Sequence, residues 1–373
     1  MKRYDTISIV QISFLFMTAI GLKNHVTVIP HLVATGKRDA WISVLFAIVF
    51  ILIWGFLIKY IHKATAPDNI FEWIGKQINE KVKWVLSILS SLLCVFLSAL
   101  TLKEMVSWTS VTYLPFTPIF FLIALLVGLC LFLALTNLQT IVTVNTLVLI
   151  AIVVFGFFVA FANLQFKDYS LLKPILEHGF KPVIEGTIFP LSGLIELIAF
   201  LFLQHKVHGK ITYKTFVINT FILSWLILGP LIGSIIEFGP IEAARQKYPA
   251  FEEWGIVSLG RFIEHVDFLS IYQWITGALI RITFLLFVSI EILALKDNRK
   301  RKIVLIIYSL MIIILNLLPI SEFLFYRFIR QIMMPATFGF FLFLSILLGL
   351  FVFIKNRTKR RLNYVQDQEE TTT

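Results

Sequence analysis

Charge is scarce in this 373-residue chain: Asp, Glu, Lys and Arg make up 15% of it, against about 25% in an ordinary soluble domain. The shortfall is mostly acidic, since 22 Asp and Glu face 33 Lys and Arg. Cysteine is nearly missing. Cys94 and Cys130 are alone, and both lie inside long apolar runs. That excludes a disulfide framework and leaves no thiolate spacing for a metal. A glycine-rich phosphate loop, a zinc-binding helix and a nucleophile elbow are also absent. Nothing here points to enzyme chemistry, and neither a cofactor nor a metal is expected.

Apolar residues fill the space. They form 58% of the chain and include 37 Phe. Their runs recur along the whole length and often exceed about 18 residues, enough to cross a bilayer core of about 30 Å. The runs do not alternate, which excludes a membrane β-barrel. The expected class is an all-α polytopic membrane protein. Ten spans are read at 7–33, 40–62, 84–107, 117–135, 139–163, 186–205, 214–236, 267–293, 303–320 and 333–354. The first lacks a small-residue cleavage site and is expected to remain as a signal anchor.

The basic residues set the orientation. With the N-terminus inside, the inner segments hold 20 Lys and Arg and the outer ones 10. Both termini are therefore expected in the cytoplasm. The basic stretch KNRTKRR at 355–361 is expected to meet anionic headgroups of the lipid bilayer rather than nucleic acid. Residues 68–83 place Ile70, Phe71, Ile74 and Ile78 on one helical face, the pattern of a short amphipathic helix at the inner surface. The long outer loop 237–266 contains GIVSLGRFIEHV, expected to be helical and to cap the outer mouth.

Ten spans divide as five plus five. An odd number in each half inverts the second half, the condition for an inverted repeat. One membrane domain, 1–373, is expected, with a first repeat over 7–163, a second over 186–354 and a polar tail over 355–373. Corresponding spans share an oddity. The first reads TAIGLKNHVTVIP, placing Gly21, Leu22, Lys23 and Asn24 in mid-run. The sixth reads PLSGLIE, placing Ser192, Gly193 and Glu196 there. Paired breaks of this kind point to a ligand site near the midplane. Close packing at single glycines is the alternative explanation of each.

Ionisable groups at membrane depth need partners or water. Lys23, Glu196 and Arg281 are the deep ones, while Lys103, Glu104 and Glu291 lie near span ends, where long chains snorkel. At about 100° per residue, Ser87, Ser90, Ser91, Cys94, Ser98 and Thr101 form one stripe on the third span. Gln273, Thr276, Gly277, Arg281 and Glu291 share one face of the eighth. Such faces turn inward, either to pack helices or to wet a cavity. The candidate ligand-binding set is therefore Gly21, Leu22, Lys23, Asn24, Ser98, Thr101, Ser192, Gly193, Glu196, Thr276 and Arg281.

The opening YDTISIVQISFLFMTAIG, then VIPHLVATGKRDAWISVL, resembles the start of the spore germination B-subunit family. Gln11, the Ile20–Gly21 pair, Pro30, DAWIS at 39–43 and NLLP at 316–319 carry the likeness. These are membrane subunits of nutrient germinant receptors in endospore-forming bacteria, within the amino acid–polyamine–organocation superfamily. The resemblance implies an amino-acid-permease/LeuT-like fold with broken first and sixth helices. It implies A and C partner subunits, the inner spore membrane, and a small-molecule germinant such as an amino acid. A proton-coupled amino-acid transporter using Glu196 as carrier is the alternative, as is a ligand-gated water or ion conduit lined by the third span. One departure stands out. Permeases of the superfamily have further glycine after the first-span break, whereas Gly21 here precedes Leu22 and Lys23. Lys23 is thereby offered in place of a coupling cation or as a direct anion partner.

Overall fold

The computed structural model describes residues 6–259, 263–264 and 266–371. The chain begins with a two-residue strand, β1 (Ile7–Ser8), paired in parallel with β2 (Val207–His208). Ser8 and Gln11 then form a capping box: the Gln11 amide donates to Ser8 Oγ and the Ser8 amide to Gln11 Oε1. Gln11 thus satisfies one of the free amides at a helix start.

From that cap the chain stays helical for a long way. It runs through α1 (Ile9–Leu22), a π-helical segment at Lys23–Val28, and α2 (Ile29–Gly36). A short turn at Lys37–Asp39 reverses it into α3 (Ala40–Thr65). There Asp39 Oδ1 accepts from the Leu176 amide at 2.8 Å, and Ser43 donates to the Val183 carbonyl at 2.8 Å. Two polar residues of the DAWIS block thereby tie this reversal to the segment that leads into the sixth span and to that span's start.

Next come α4 (Ile70–Gln77), α5 (Glu80–Thr112), α6 (Ile119–Ala134) and α7 (Leu138–Ala162). Asn69, Asn79 and Asn137 cap α4, α5 and α7 with their side chains, as short polar residues do at helix starts. The sixth span is assembled from α8 (Phe180–Gly186), α9 (Ile188–Leu194), a 3-10 turn at Ile195–Ile198 and α10 (Ala199–Phe202). Then follow α11 (Tyr213–Phe238), α12 (Pro240–Ala243), α13 (Pro249–Gly255), α14 (Phe268–Leu293), α15 (Asn298–Leu317), α16 (Glu322–Phe328), a second π segment at Ile329–Met333, and α17 (Met334–Thr371).

Burial separates the bundle's axis from its rim. In their most apolar stretches, the Phe268–Leu293 helix is 83% buried and Phe180–Phe202 is 78% buried, whereas Leu138–Phe166 is 17% buried. α14 and the sixth span form the axis, and α7 lies at the edge. Large apolar side chains such as Ile53, Phe56, Leu147, Ile150 and Ile314 are exposed. In water such a surface would aggregate; it suits hydrocarbon.

Several expectations change. Seven helical stretches among the described residues are long and apolar enough to cross a membrane, the first covering both of the first two expected spans. Each of the ten expected spans falls on helix. However, Ile119–Ala134 is short at 16 residues, and α15 opens with Arg299, Lys300, Arg301 and Lys302, so the count of ten does not follow from length and apolarity alone. The amphipathic segment turns its apolar face into the protein, with Ile70, Phe71 and Ile74 wholly buried, rather than onto lipid. Beyond Gly255, which ends α13, the GIVSLGRFIEHV stretch is not helical where it is described: β3 (Ser258–Leu259) pairs antiparallel with β4 (Ile263–Glu264). Residues 260–262 and 265 of that stretch lie outside the described residues.

Candidate functional site

Helix winding changes in both the first and the sixth spans, and these two places touch. In the first span the π segment Lys23–Val28 widens the helix; π turns insert an extra residue and commonly mark functional positions. In the sixth, the 3-10 turn Ile195–Ile198 tightens it and carries Glu196. The expected opening at Gly21 is therefore corrected. Gly21 lies inside regular helix, and the backbone continues without unwinding, so its amides are not freed there. Gly21 serves contact instead: a Cβ on it would sit 2.8 Å from the Leu226 side chain.

Lys23, at 6% exposure, does not reach the headgroups. Its Nζ donates to Glu196 Oε1 at 2.8 Å and to the Ser192 carbonyl at 2.7 Å. Arg281, in the middle of α14, meets the same carboxylate from the other side. Nη1 donates to Glu196 Oε2 at 2.9 Å and Nη2 to Oε1 at 3.0 Å, a bidentate arrangement. The rest of the guanidinium is also used. Nε donates to Thr101 Oγ1 at 3.0 Å, and Nη1 to the Ala19 carbonyl at 2.6 Å. Two cations thus share one carboxylate, and the group carries a surplus positive charge.

Asn24 completes the contact. It is wholly buried, and neither amide atom has a hydrogen-bond partner among the described residues. Its Oδ1 occupies the space a side chain at 193 would need, since a Cβ on Gly193 would stand 1.8 Å away. A side chain at 193 would force the Asn24 amide to move. Leu22 packs over Gly277 of α14, where a Cβ would lie 3.0 Å from Leu22 Cδ1.

Beside the triad is a cavity of 20 Å³, lined by Lys23, Thr27, Thr101, Glu104 and Arg281, with an apolar wall from Leu97, Leu100 and the start of the last span. Glu104 is 8% exposed, and its Oε2 accepts from Thr27 Oγ1 at 2.7 Å. Its expected reach toward headgroups is corrected: it faces the interior. The cavity holds about one water.

Two members of the expected set lie elsewhere. Ser98 donates to the Cys94 carbonyl within α5, and Thr276 to the Tyr272 carbonyl within α14; neither meets the triad. The polar stripe on α5 is mainly a packing surface. Ser91 donates to the Ser289 carbonyl and also bonds Tyr308, and Ser87, Ser90 and Ser98 are wholly buried. Thr27 and the wall of Ile329, Met333, Met334 and Thr337 were not anticipated. Thr27 had a signal, four residues from Lys23 on a helix, whereas the wall had none. Glu291, the other span-end carboxylate, is paired too, receiving His205 Nε2 at 3.0 Å, Lys206 Nζ at 3.9 Å and Arg301. Glu196, with both oxygens held by cations, is poorly placed to cycle a proton.

A family model described as a spore germination protein matches residues 6–323. Spore germination protein XB of Bacillus anthracis is 39% identical over 351 residues, which cover 94% of this chain and 98% of that protein. Among solved structures, a Na+-coupled sialic acid symporter in a substrate-bound, outward-open state aligns with a TM-score of 0.61 at 11% identity, covering 91% of this chain and 81% of that one. At that identity the likeness concerns fold alone. The LeuT-like class expected from the sequence is the fold observed.

Proposed function

Because the chain belongs to the spore germination protein family over residues 6–323, we propose that it is the germinant-sensing membrane subunit of a nutrient germinant receptor. In this reading a small nutrient, in the first place an amino acid, binds where the first span, the sixth span and α14 converge. Gly21, Leu22, Lys23, Asn24, Thr101, Ser192, Gly193, Glu196 and Arg281 form or support that place. The protein resides in the inner spore membrane with both termini cytoplasmic and passes its signal to A and C partner subunits. The halves 7–163 and 186–354 act as the two repeats that shift against each other. A ligand moves such an equilibrium only by preferring one arrangement.

The Lys23–Glu196–Arg281 triad carries the reading. It joins three elements distant in sequence through one buried carboxylate, so any ligand that competes for these groups changes how the elements pack. The test is germination of spores carrying Glu196→Ala or Gly193→Trp, with assembly of the subunit checked by immunoblot. A stably assembled Gly193→Trp variant that responds normally to nutrient removes the site from consideration.

The transporter-like fold sustains a second reading, proton-coupled amino-acid uptake. Reconstituted protein that concentrates labelled amino acid in proteoliposomes under a pH gradient supports transport. Binding without flux supports sensing.

A further inference from the structure

The cavity contains an imbalance that the triad does not resolve. Glu196 is saturated by two cations. Glu104, which lines the cavity, has no cationic partner within ion-pair distance among the described residues and accepts a hydrogen bond from one neutral hydroxyl, that of Thr27. A carboxylate can accept about four hydrogen bonds, so most of its capacity is unused at 8% exposure. The cations have the complementary shortage. Lys23 Nζ has two of its three N–H groups placed, and the Arg281 guanidinium four of its five. One N–H on each is spare, and both residues line the cavity. Among the residues that line the space, Lys23 and Arg281 bring donors and Glu104 an acceptor. Apart from Thr101, which meets Arg281, and Thr337, whose hydroxyl donates to the Met333 carbonyl, the remaining wall is apolar or thioether: Leu97, Leu100, Ile329, Met333 and Met334.

We propose that Glu104, held by Thr27, is the subsite for the primary ammonium group of a zwitterionic apolar amino acid, whose carboxylate takes the spare N–H groups of Lys23 and Arg281. This rests on the reading of the chain as a ligand-sensing subunit and narrows its ligand class. A sugar or nucleoside leaves the Glu104 charge unmatched, whereas an ammonium neutralises it, and a buried carboxylate strongly favours that partner. The space of 20 Å³ is far below the size of a ligand pocket, about 300 Å³ or more. Ligand entry must therefore displace the wall at Ile329–Thr337. That wall begins in the second π segment and carries two methionines, unbranched side chains that repack easily. Ammonium capture at Glu104 and displacement of that wall become a single event.

The experiment uses the full-length protein in detergent and reads thermal stabilisation, which rises with ligand occupancy. The probes are L-valine, isobutylamine (valine without its carboxylate), isovalerate (valine without its ammonium), D-glucose and inosine. L-valine should stabilise the wild type, isobutylamine should do so more weakly, and isovalerate, glucose and inosine should have no effect. Glu104→Gln keeps shape and removes charge; it should weaken L-valine binding about 10- to 100-fold. Thr27→Val, a milder change that serves if Glu104→Gln misfolds, should weaken it severalfold. Equal L-valine response in the wild type and a folded Glu104→Gln variant overturns the subsite while leaving the sensing role intact. Glucose or inosine stabilising in place of L-valine does the same. Stabilisation by NaCl over choline chloride that depends on Glu104, without any valine effect, makes it an inorganic cation site and also overturns the proposal. No response to any probe at 10 mM counts against both the subsite and the sensing role.

Discussion

The cost of dismantling the triad should be sharply unequal among its three members. Glu196→Gln removes the acceptor of three hydrogen bonds and strands two cations, Lys23 at 6% exposure and Arg281 at 1%. Removing one member of a buried ion pair costs about 3–5 kcal/mol, and with two cations stranded the loss should lie near the upper figure. Arg281→Met leaves the Lys23–Glu196 pair standing but abandons Thr101 and the Ala19 carbonyl; it should cost about 3 kcal/mol. Lys23→Met leaves the bidentate Arg281–Glu196 pair intact and neutral, and forfeits two bonds, to Glu196 Oε1 and to the Ser192 carbonyl. Replacing a buried cation by an apolar chain of similar length is then close to neutral, about 1 kcal/mol in either direction. The assay is equilibrium unfolding of each purified variant in mixed micelles with graded SDS. The double variant Lys23→Met/Glu196→Gln should lose less than the sum of the two singles by more than about 1 kcal/mol, because its second change removes a stranded cation. Finding Lys23→Met as damaging as Glu196→Gln would show that the charge balance drawn from these contacts is wrong.

Other perturbations test the packing around it. Gly193→Ala should destabilise by about 1–3 kcal/mol through its clash with Asn24, while Gly128→Ala, with nothing within 4 Å, should change stability by less than about 0.5 kcal/mol; equal melting temperatures for the two would contradict the close approach. Trp54→Phe deletes the Nε1–H bond to Ser345 Oγ at 2.8 Å and should lower stability by about 1 kcal/mol, visible as an earlier thermal transition in detergent. Glu291→Gln releases His205, Lys206 and Arg301 from one carboxylate. It should speed hydrogen exchange at 203–208 and at the start of α15, and unchanged protection at both would refute its role as a joint.

Several functional features could be read before the fold was known, because they follow from transfer free energy alone. Lys23, Glu196 and Arg281 stand in apolar runs where a charge cannot face lipid, so their inward direction was evident from position. The pairing of the first and sixth spans was visible as matched interruptions. The form of those interruptions was not. A π turn and a 3-10 turn differ from the regular helix by one residue in hydrogen-bond spacing, and the local sequence is helix-compatible in each case. Glu104 shows the same limit. Its neighbours in sequence place it near a helix end, and its face toward the cavity depends on the rotation of α5 against α14, set by the Ser91–Ser289 contact and the packing along that seam.

By itself the sequence determined the solvent: long apolar runs commit the chain to membrane-crossing helices, and the few charges within them to the interior. It also determined the local devices, such as the Ser8–Gln11 capping box and the Asn caps, since these need only residues within one turn. The tertiary structure decided which charges meet. Lys23 and Glu196 are 173 positions apart, and Glu196 and Arg281 are 85 apart, so their pairing depends on the depth and rotation of three helices at once. It also decided that the serine stripe of α5 packs and that two short strands of the long loop pair antiparallel. The physical reason is the same throughout. Burial in lipid is a property of each segment, whereas a hydrogen-bonded ion triad exists only where several segments are placed to within a fraction of an ångström.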